Sequence, residues 1–174
     1  MEESDGYGYG IWLIPKSSCG SFIVDTYNSY PFKNHITVMC MMTKQMAQFA
    51  YMNLFNKFAD NTVKGYVNTC FQDLNDSDYG NNKENESYSA YSAGVNINIP
   101  EWENILEKLK DFKNKGSFPK TPHMSLIYSD SSINPVIIDF VKSKELIRIG
   151  ESFEASFHLV DINDSRPWKW KILS

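Results

Sequence analysis

Two short segments with the same pattern are the strongest constraint on how this chain folds. The first is KNHITVMC at 33–40 and the second is PHMSLIY at 122–128. Each contains a histidine, an apolar residue, a hydroxyl residue and a second apolar residue, in that order. Because side chains alternate between the two faces of a β-strand, each segment directs an imidazole and a hydroxyl to one face. The sequence therefore predicts two strands that are apolar on one side and chemically functional on the other.

The two tetrads supply four candidate functional groups. They are His35-Ile36-Thr37-Val38, the first tetrad, and His123-Met124-Ser125-Leu126, the second tetrad. One such tetrad on its own favours a histidine that is packed for structural reasons in a buried strand. Two copies in a chain with only three histidines favour a shared site instead. If the two strands lie side by side, two imidazoles and two hydroxyls line one groove.

This set of groups suits the hydrolysis of a phosphodiester. Histidine titrates near neutral pH, so one imidazole can deprotonate the attacking water while the other protonates the departing ribose oxygen. The hydroxyls of Thr37 and Ser125 can donate hydrogen bonds to the non-bridging oxygens, whose negative charge grows in the transition state. No carboxylate or cysteine stands at ligand spacing from His35 or His123, so we expect neither a metal nor another cofactor.

The rest of the pattern mixes strands with helices. The predicted strands are 9–15, 35–41, 62–71, 88–99, 123–128, 152–162 and 167–173. Helices are predicted after Thr43, after Pro100, and from Ser132 or Asn134. The polar segment 72–87 predicts a flexible loop. A quasi-repeat of about 85 residues relates the two halves, so we expect an α+β protein in which two related lobes form a single domain over 1–174.

Composition restricts the class of partner. The chain has 174 residues and is 42% hydrophobic and 14% aromatic, which excludes disorder over most of its length. Its net charge is −4, whereas a protein that binds long nucleic acids needs a basic surface for their phosphates. A small anionic ligand held by a few local groups remains compatible with this charge. We expect the partner to be a small nucleotide substrate and the protein to be a monomer.

Neither the start of the chain nor its cysteines suggest export. The segment MEESDGYGYG is acidic, unlike a secretory signal, and no stretch approaches the roughly 18 apolar residues of a membrane span. Cys19, Cys40 and Cys70 are an odd number without CxxC spacing, which is typical of reduced thiols. We expect a cytoplasmic protein without a membrane partner.

The paired H-x-[TS]-hydrophobic tetrads resemble the two-histidine (2H) phosphoesterase superfamily. The order of YGIWLIP at 9–15, HITV, PHMSLIY and a tryptophan-containing terminal segment is most similar to its eukaryotic-type cyclic phosphodiesterase branch. The resemblance spans residues 9–172, and its specific part is the tetrads together with PHMSLIY. It implies a bilobal fold, in which two antiparallel β-sheets surround a central groove, with helices outside and one tetrad in each lobe.

The resemblance also implies an activity. Members of this branch open a ribose cyclic phosphate without a metal, for example a nucleoside 2′,3′-cyclic phosphate or ADP-ribose 1″,2″-cyclic phosphate. His35, Thr37, His123 and Ser125 match the catalytic positions of the family. Tyr128 matches an aromatic position of that branch and could contact the substrate.

Other residues have weaker claims to a functional role. Lys33 and Lys120 precede the tetrads and could attract a phosphate, although single loop lysines are more often merely solvated. Trp12, like Tyr128, could stack on a nucleobase, but a place in the core suits its strand equally well. His158 has no hydroxyl two residues later, so we expect a surface or edge histidine. Trp168 and Trp170 alternate with lysines and are expected to be structural residues of a half-buried strand.

Two alternatives to the cyclic phosphodiesterase remain open at this point. One is an enzyme that degrades 2′,5′-oligoadenylate or a cyclic dinucleotide, as some viral members of the superfamily do. The Asn-, Lys-, Tyr- and Ile-rich composition, typical of an AT-rich viral or protist genome, is compatible with that reading, and the enzyme would then act in a host cytosol. The other is a non-catalytic nucleotide-binding module on the same fold.

Overall fold

The computed structural model describes residues 6–16, 33–74, 91–129, 139–140, 148–164 and 166–174. These residues form an α+β structure, as expected. The strands are β1 Tyr9–Pro15, β2 Ile36–Met42, β3 Thr62–Val67, β4 Gln72–Asp73, β5 Tyr91–Asn98, β6 His123–Ser129, β7 Ser152–Asp161 and β8 Lys171–Ile172. The helices are α1 Lys44–Leu54 and α2 Trp102–Lys108, and 3-10 turns lie at Ala59–Asn61, Lys110–Phe112 and Pro167–Lys169.

Helix α1 begins where the sequence places a capping residue. The Thr43 hydroxyl accepts a hydrogen bond from the Met46 N–H at 3.2 Å, which satisfies one of the unpaired donors of the first turn. The helix buries Ala47, Ala50 and Leu54 and packs against β1, β2 and β7. It therefore covers the strands that adjoin the first tetrad.

Three predicted elements differ from the structure. The strand predicted over 62–71 ends at Val67, and Gln72–Asp73 of the predicted loop 72–87 pair with β5 as β4, while 75–87 lie outside the described residues. The strand predicted over 167–173 begins instead as a 3-10 turn, because Pro167 cannot donate to a ladder and suits the first turn of a helix. The helix predicted from 132 or 134 also falls outside the described residues, except for 139–140, which are helical.

The described strands form one antiparallel sheet. Its order is β1-β2-β6-β5-β3-β7-β8, and β1 also pairs with β7, so that β1, β2, β6, β5, β3 and β7 make a closed circuit. Two separate sheets were expected, whereas hydrogen bonds join the described strands into one sheet. The circuit is continuous because β2 meets β6 at Ile36–Met124 and β3 meets β5 at Tyr66–Asn98 and Val67–Ile97. The longer ladders lie on either side of these two short junctions.

The apolar members of both tetrads lie in the main hydrophobic core. Ile36, Val38, Met124 and Leu126 are all 0% exposed, and the core also includes residues of α1 and α2. The alternation that the tetrads predicted is therefore present. We call the opposite face of the sheet, which carries His35, Thr37, His123 and Ser125, the site face.

Both tetrad strands contain a β-bulge directly after the hydroxyl residue. In the β1–β2 ladder Trp12 pairs with Thr37 and Ile11 pairs with Met39, so Val38 is an extra residue. In the β5–β6 ladder Gly94 pairs with Ser125 and Ala93 pairs with Ile127, so Leu126 is the extra residue. The two ladders thus share this register step after the hydroxyl residue, while the β1–β2 ladder has a further shift between Tyr9 and Ile11.

The second bulge changes the face to which later residues point. In a regular strand Tyr128 would point to the face opposite Ser125, because the two residues are three positions apart and side chains alternate between faces. Directly paired residues share a face, and Ile127 pairs with Ala93 whereas Ser125 pairs with Gly94. The inserted Leu126 therefore returns Tyr128 to the site face.

We predict that Gly94→Ala destabilises the fold and displaces the second bulge. A Cβ at this position would collide with the main-chain oxygen of Met124, because β5 and β6 approach each other closely there. The expected loss is about 1–3 kcal/mol in the free energy of unfolding, measured by denaturant titration. Asn98→Ala, at an exposed position of the same strand, is the control and should change the stability by less than about 0.5 kcal/mol. Equal stabilities for the two variants would contradict this account.

Candidate active site

The two tetrads meet through one cross-strand pair. Ile36 of β2 lies directly opposite Met124 of β6, and the two strands run antiparallel. This register places His35 opposite Ser125 and Thr37 opposite His123, with Cβ separations of about 4.5–5.5 Å expected for such neighbours. We call these four residues the polar quartet. The structure thus brings together all four residues that the sequence nominated as catalytic.

Both imidazoles are oriented in the same way by their own chain. His35 Nδ1–H donates to the Lys33 carbonyl at 2.7 Å, and His123 Nδ1–H donates to the Thr121 carbonyl at 3.0 Å. A carbonyl oxygen can only accept, so in each neutral ring the proton sits on Nδ1 and the lone pair on Nε2. The shared geometry makes Nε2 the nitrogen that exchanges protons in both histidines.

The two histidines differ in their exposure. His35 is 4% exposed, whereas His123 is half-buried. Burial removes water from His35 and lowers its pKa to about 4, although the hydrogen bond to the Lys33 carbonyl acts in the opposite direction. The nearby charge of His123 lowers the pKa of His35 further. His35 is therefore a neutral imidazole at pH 7.

Trp12 contacts His35 directly. Their rings stack with centroids 3.5 Å apart and an interplanar angle of 6°. Trp12 is only 2% exposed and packs with Ile14 and Val160, so it has the core position that the sequence left open, and His35 covers one face of its indole. Its buried Nε1–H has no acceptor in the described part of the chain.

Tyr128 lies beside the polar quartet on the site face. Its hydroxyl shares a hydrogen bond with the Ser125 side chain, which moderates the rise that burial causes in the pKa of Tyr128. The ring is half-buried. Tyr128 therefore lies on the same face of the sheet as the polar quartet, next to Ser125.

Trp170 belongs to the same cluster, although the sequence suggested only a structural role. Its ring meets Trp12, His35 and Tyr128 edge-on, with centroid distances of 5.9, 6.0 and 5.5 Å. Its Nε1–H donates to the Asp164 carbonyl at 2.7 Å, which fixes the indole. Alternation with lysines could not reveal this position, because the same pattern describes any half-buried strand. Trp168, two residues earlier, is 41% exposed.

The remaining candidates lie outside the polar quartet. Lys33 and Lys120 have exposed side chains just before β2 and β6, so they stand near the strands without joining the four groups. His158 lies in β7, a strand paired with β1, β3 and β8, so it is not at a sheet edge, whereas its half-buried side chain keeps part of the expected exposure. Its Nδ1–H donates to the Ser174 carbonyl at 2.9 Å and its Nε2 accepts from the Ser156 hydroxyl at 2.8 Å. Both of its nitrogens are engaged in structural bonds.

Three other features of the described residues bear on the sequence predictions. Cys40 is a buried thiol and Cys70 a half-buried one, while Cys19 lies outside the described residues. Within the ranges described, no three side chains of His, Cys, Asp or Glu come together in a way that could hold a metal ion. Neither α1 nor α2 is long and apolar enough to cross a membrane, and no other described helix is.

The buried His35 makes stability depend on pH in a defined direction. The pKa of His35 is about 4 in the folded chain and about 6.5 in the unfolded chain. Between pH 4 and pH 6.5 the unfolded chain therefore binds a proton that the folded chain does not bind. The contribution of the neutral His35 to the free energy of unfolding is fully present above about pH 6.5. It decreases by about 3 kcal/mol as the pH is lowered to about 4. Denaturant titrations of the wild type and His35→Asn at several pH values isolate this contribution, since all other titrating groups are common to both. An identical pH dependence in the two proteins would refute it.

Comparison of the sequence with family models and with curated proteins identifies no relative of this chain. No protein-family model matches the chain, and no curated protein sequence matches it significantly. The resemblance to 2H phosphoesterases therefore rests on the residues of the two tetrads and on PHMSLIY.

Proposed function

We propose that this protein is a 2H-type phosphodiesterase that hydrolyses a small nucleotide phosphodiester without a metal. The observation that carries the proposal is the pairing of Ile36 with Met124, which assembles the polar quartet on one face. Two imidazoles with identically fixed Nδ1–H groups and two hydroxyls form a complete set for acid–base cleavage of a phosphodiester. Packing of the core alone would not require two imidazoles and two hydroxyls on the same face of the sheet.

The proposed reaction is a direct displacement at phosphorus. Nε2 of one histidine accepts a proton from water as the water oxygen bonds to phosphorus. The bond between phosphorus and the ribose oxygen breaks, and the protonated second histidine gives its proton to that oxygen. Thr37 and Ser125 donate hydrogen bonds to the non-bridging oxygens, where charge accumulates.

The substrate that fits best is a ribose cyclic phosphate, either a nucleoside 2′,3′-cyclic phosphate or ADP-ribose 1″,2″-cyclic phosphate. A small substrate is favoured because the chain carries a net charge of −4 and therefore lacks the general surplus of basic residues that a polynucleotide requires. Lys33 and Lys120 are proposed to draw the phosphate towards the strands that carry the histidines. Tyr128, half-buried beside Ser125, is proposed to contact the nucleoside.

The finer architecture is part of the same proposal. The β1–β2 and β5–β6 ladders share a bulge directly after the hydroxyl residue of their tetrads, and they meet at the short β2–β6 junction. We regard them as the centres of the two lobes of a 2H fold, with the site face as its groove. We further propose a cytoplasmic location, since the cysteines show no disulfide or zinc spacing in the sequence, and a monomeric state.

Product analysis by chromatography tests the function directly. The protein is incubated with EDTA and a panel of 2′,3′-cyclic nucleotides, ADP-ribose 1″,2″-cyclic phosphate, 2′,5′-oligoadenylate and cyclic dinucleotides. The His35→Ala/His123→Ala protein serves as the inactive control. Turnover of a ribose cyclic phosphate supports the proposal, whereas turnover of another diester alone replaces the substrate class. Binding without product, seen by calorimetry, would favour a nucleotide-binding module, and activity lost to EDTA and restored by metal would indicate a metallohydrolase.

Single replacement of either histidine should be severe. His35→Ala or His123→Ala removes a positioned acid or base, so kcat is expected to fall by about 10²–10⁴. The matched control is His158→Ala, which removes the third histidine, whose two nitrogens bond to Ser156 and Ser174. Steady-state kinetics should show a much smaller change in kcat for this control. Near-normal turnover in either tetrad variant would exclude that histidine from catalysis.

The two hydroxyls should contribute to the rate through phosphate stabilisation. Thr37→Val keeps the size of the side chain and Ser125→Ala removes only the hydroxyl oxygen, so both folds should persist. Each loses a donor to the developing charge, and kcat should fall by about 10²–10³. Ser152→Ala, at the exposed start of β7, is the hydroxyl control and should keep normal kinetics. Unchanged kcat in both quartet variants would remove the hydroxyls from the mechanism.

A further inference from the structure

The two halves of the candidate site have equivalent strands but different aromatic surroundings. Trp12 pairs with Thr37 in the β1–β2 ladder, and Gly94 pairs with Ser125 at the equivalent place of the β5–β6 ladder. One half therefore holds an indole beside its tetrad where the other half holds only a hydrogen atom. This difference makes the two histidines chemically unequal.

The indole of Trp12 forms a flat wall against His35. The rings are parallel within 6° at a centroid separation of 3.5 Å, which leaves no space for water on that face of the imidazole. Trp12 itself is fixed, because it is 2% exposed and packs with Ile14 and Val160. The plane of the His35 ring is thus set by stacking, while its rotation within that plane is set by the bond to the Lys33 carbonyl.

Trp170 completes the enclosure of His35 from a distant part of the chain. Its ring lies edge-on to both Trp12 and His35, and it also contacts Tyr128 of the second half. The Asp164 carbonyl holds the Trp170 indole, and the Asp164 carboxylate is paired with Arg166 at 2.7 Å. The segment after β7 therefore closes over one histidine and connects it to an aromatic residue of the other half.

Two opposing effects act on the charge of the stacked imidazole. A cation above an indole face is attracted by the ring, which favours protonated His35. Removal of water from a ring that is 4% exposed disfavours the charged form and is the larger effect. Of the groups that face His35 from β6, His123 opposes a second positive charge, and Tyr128 is neutral because burial raises its pKa. The enclosure therefore favours the neutral ring.

We propose that Trp12 and Trp170 are positioning residues that hold His35 as the proton acceptor of the site, leaving His123 as the proton donor. This assignment rests on the proposed phosphodiesterase function and adds the division of roles to it. In the proposed reaction His35 Nε2 takes the proton of the attacking water. The half-buried His123, which can remain in contact with solvent protons, protonates the departing ribose oxygen. Both tryptophans contact the imidazole and act through it.

Histidine NMR tests the positioning role without any substrate. The three histidines are labelled, assigned with single His→Gln variants, and followed from about pH 3 to pH 8. In the wild type the His35 signals should stay those of a neutral ring protonated at Nδ1 down to about pH 5, with the midpoint below that value. Trp170→Ala admits water, so the midpoint of His35 should rise by about one pH unit or more. Trp12→Phe keeps a ring in the core and should move the midpoint in the same direction by less.

The matched control is Trp168→Ala. Trp168 is 41% exposed and lies in the 3-10 turn directly before Trp170. This variant should leave the His35 titration unchanged. A His35 that titrates at its ordinary value near 6.5 in the wild type would overturn the positioning role. So would an unchanged His35 midpoint in both folded Trp170→Ala and Trp12→Phe proteins.

The division of roles is tested by the pH dependence of kcat/KM. The low-pH limb should coincide with the His35 midpoint measured by NMR, and it should move upward by the same amount in Trp170→Ala. A low-pH limb that follows His123 in place of His35 would reverse the roles and overturn the proposal. Absence of turnover across the substrate panel would overturn the proposed function and the acceptor role together, while the NMR result still decides whether the tryptophans position His35.

Discussion

The candidate site depends on a single short contact between two strands. β2 and β6 pair at Ile36 and Met124, the second residues of their tetrads. Because the strands are antiparallel, this one register places each histidine opposite the hydroxyl of the other tetrad. A shift of one residue would turn one tetrad over and exchange its imidazole and hydroxyl for apolar groups. The buried apolar side chains oppose such a shift, since the two apolar members of the displaced tetrad would have to leave the core.

The bulges after the two hydroxyls give this site its outline. Val38 and Leu126 are the extra residues, and both remain fully buried, so the core accepts the insertions without exposure of apolar surface. The second insertion brings Tyr128 to the site face. It is possible because Gly94 allows the main chain of β5 to approach β6. Packing and candidate chemistry therefore depend on the same backbone irregularity.

The burial of His35 carries a cost that the fold accepts. A histidine with a pKa of about 4 destabilises the folded chain in acid, and a buried aliphatic residue would avoid that penalty. Such a group is more common at functional sites than in ordinary cores. The orientation of the ring, through the Lys33 carbonyl and the stacked Trp12, is what an imidazole needs if Nε2 is to exchange protons with a substrate.

The sequence by itself determined the strands of the two tetrads, the burial of their apolar members and the identity of the polar quartet, because strand alternation is a local property that a few residues encode. Only the tertiary structure decided that β2 and β6 adjoin within one closed circuit of strands, that Leu126 redirects Tyr128, and that Trp170 reaches His35. These features depend on register and on contacts between distant segments. A local pattern cannot specify them, and for the same reason the lysine–tryptophan alternation at 167–171 predicted a strand where Pro167 starts a turn.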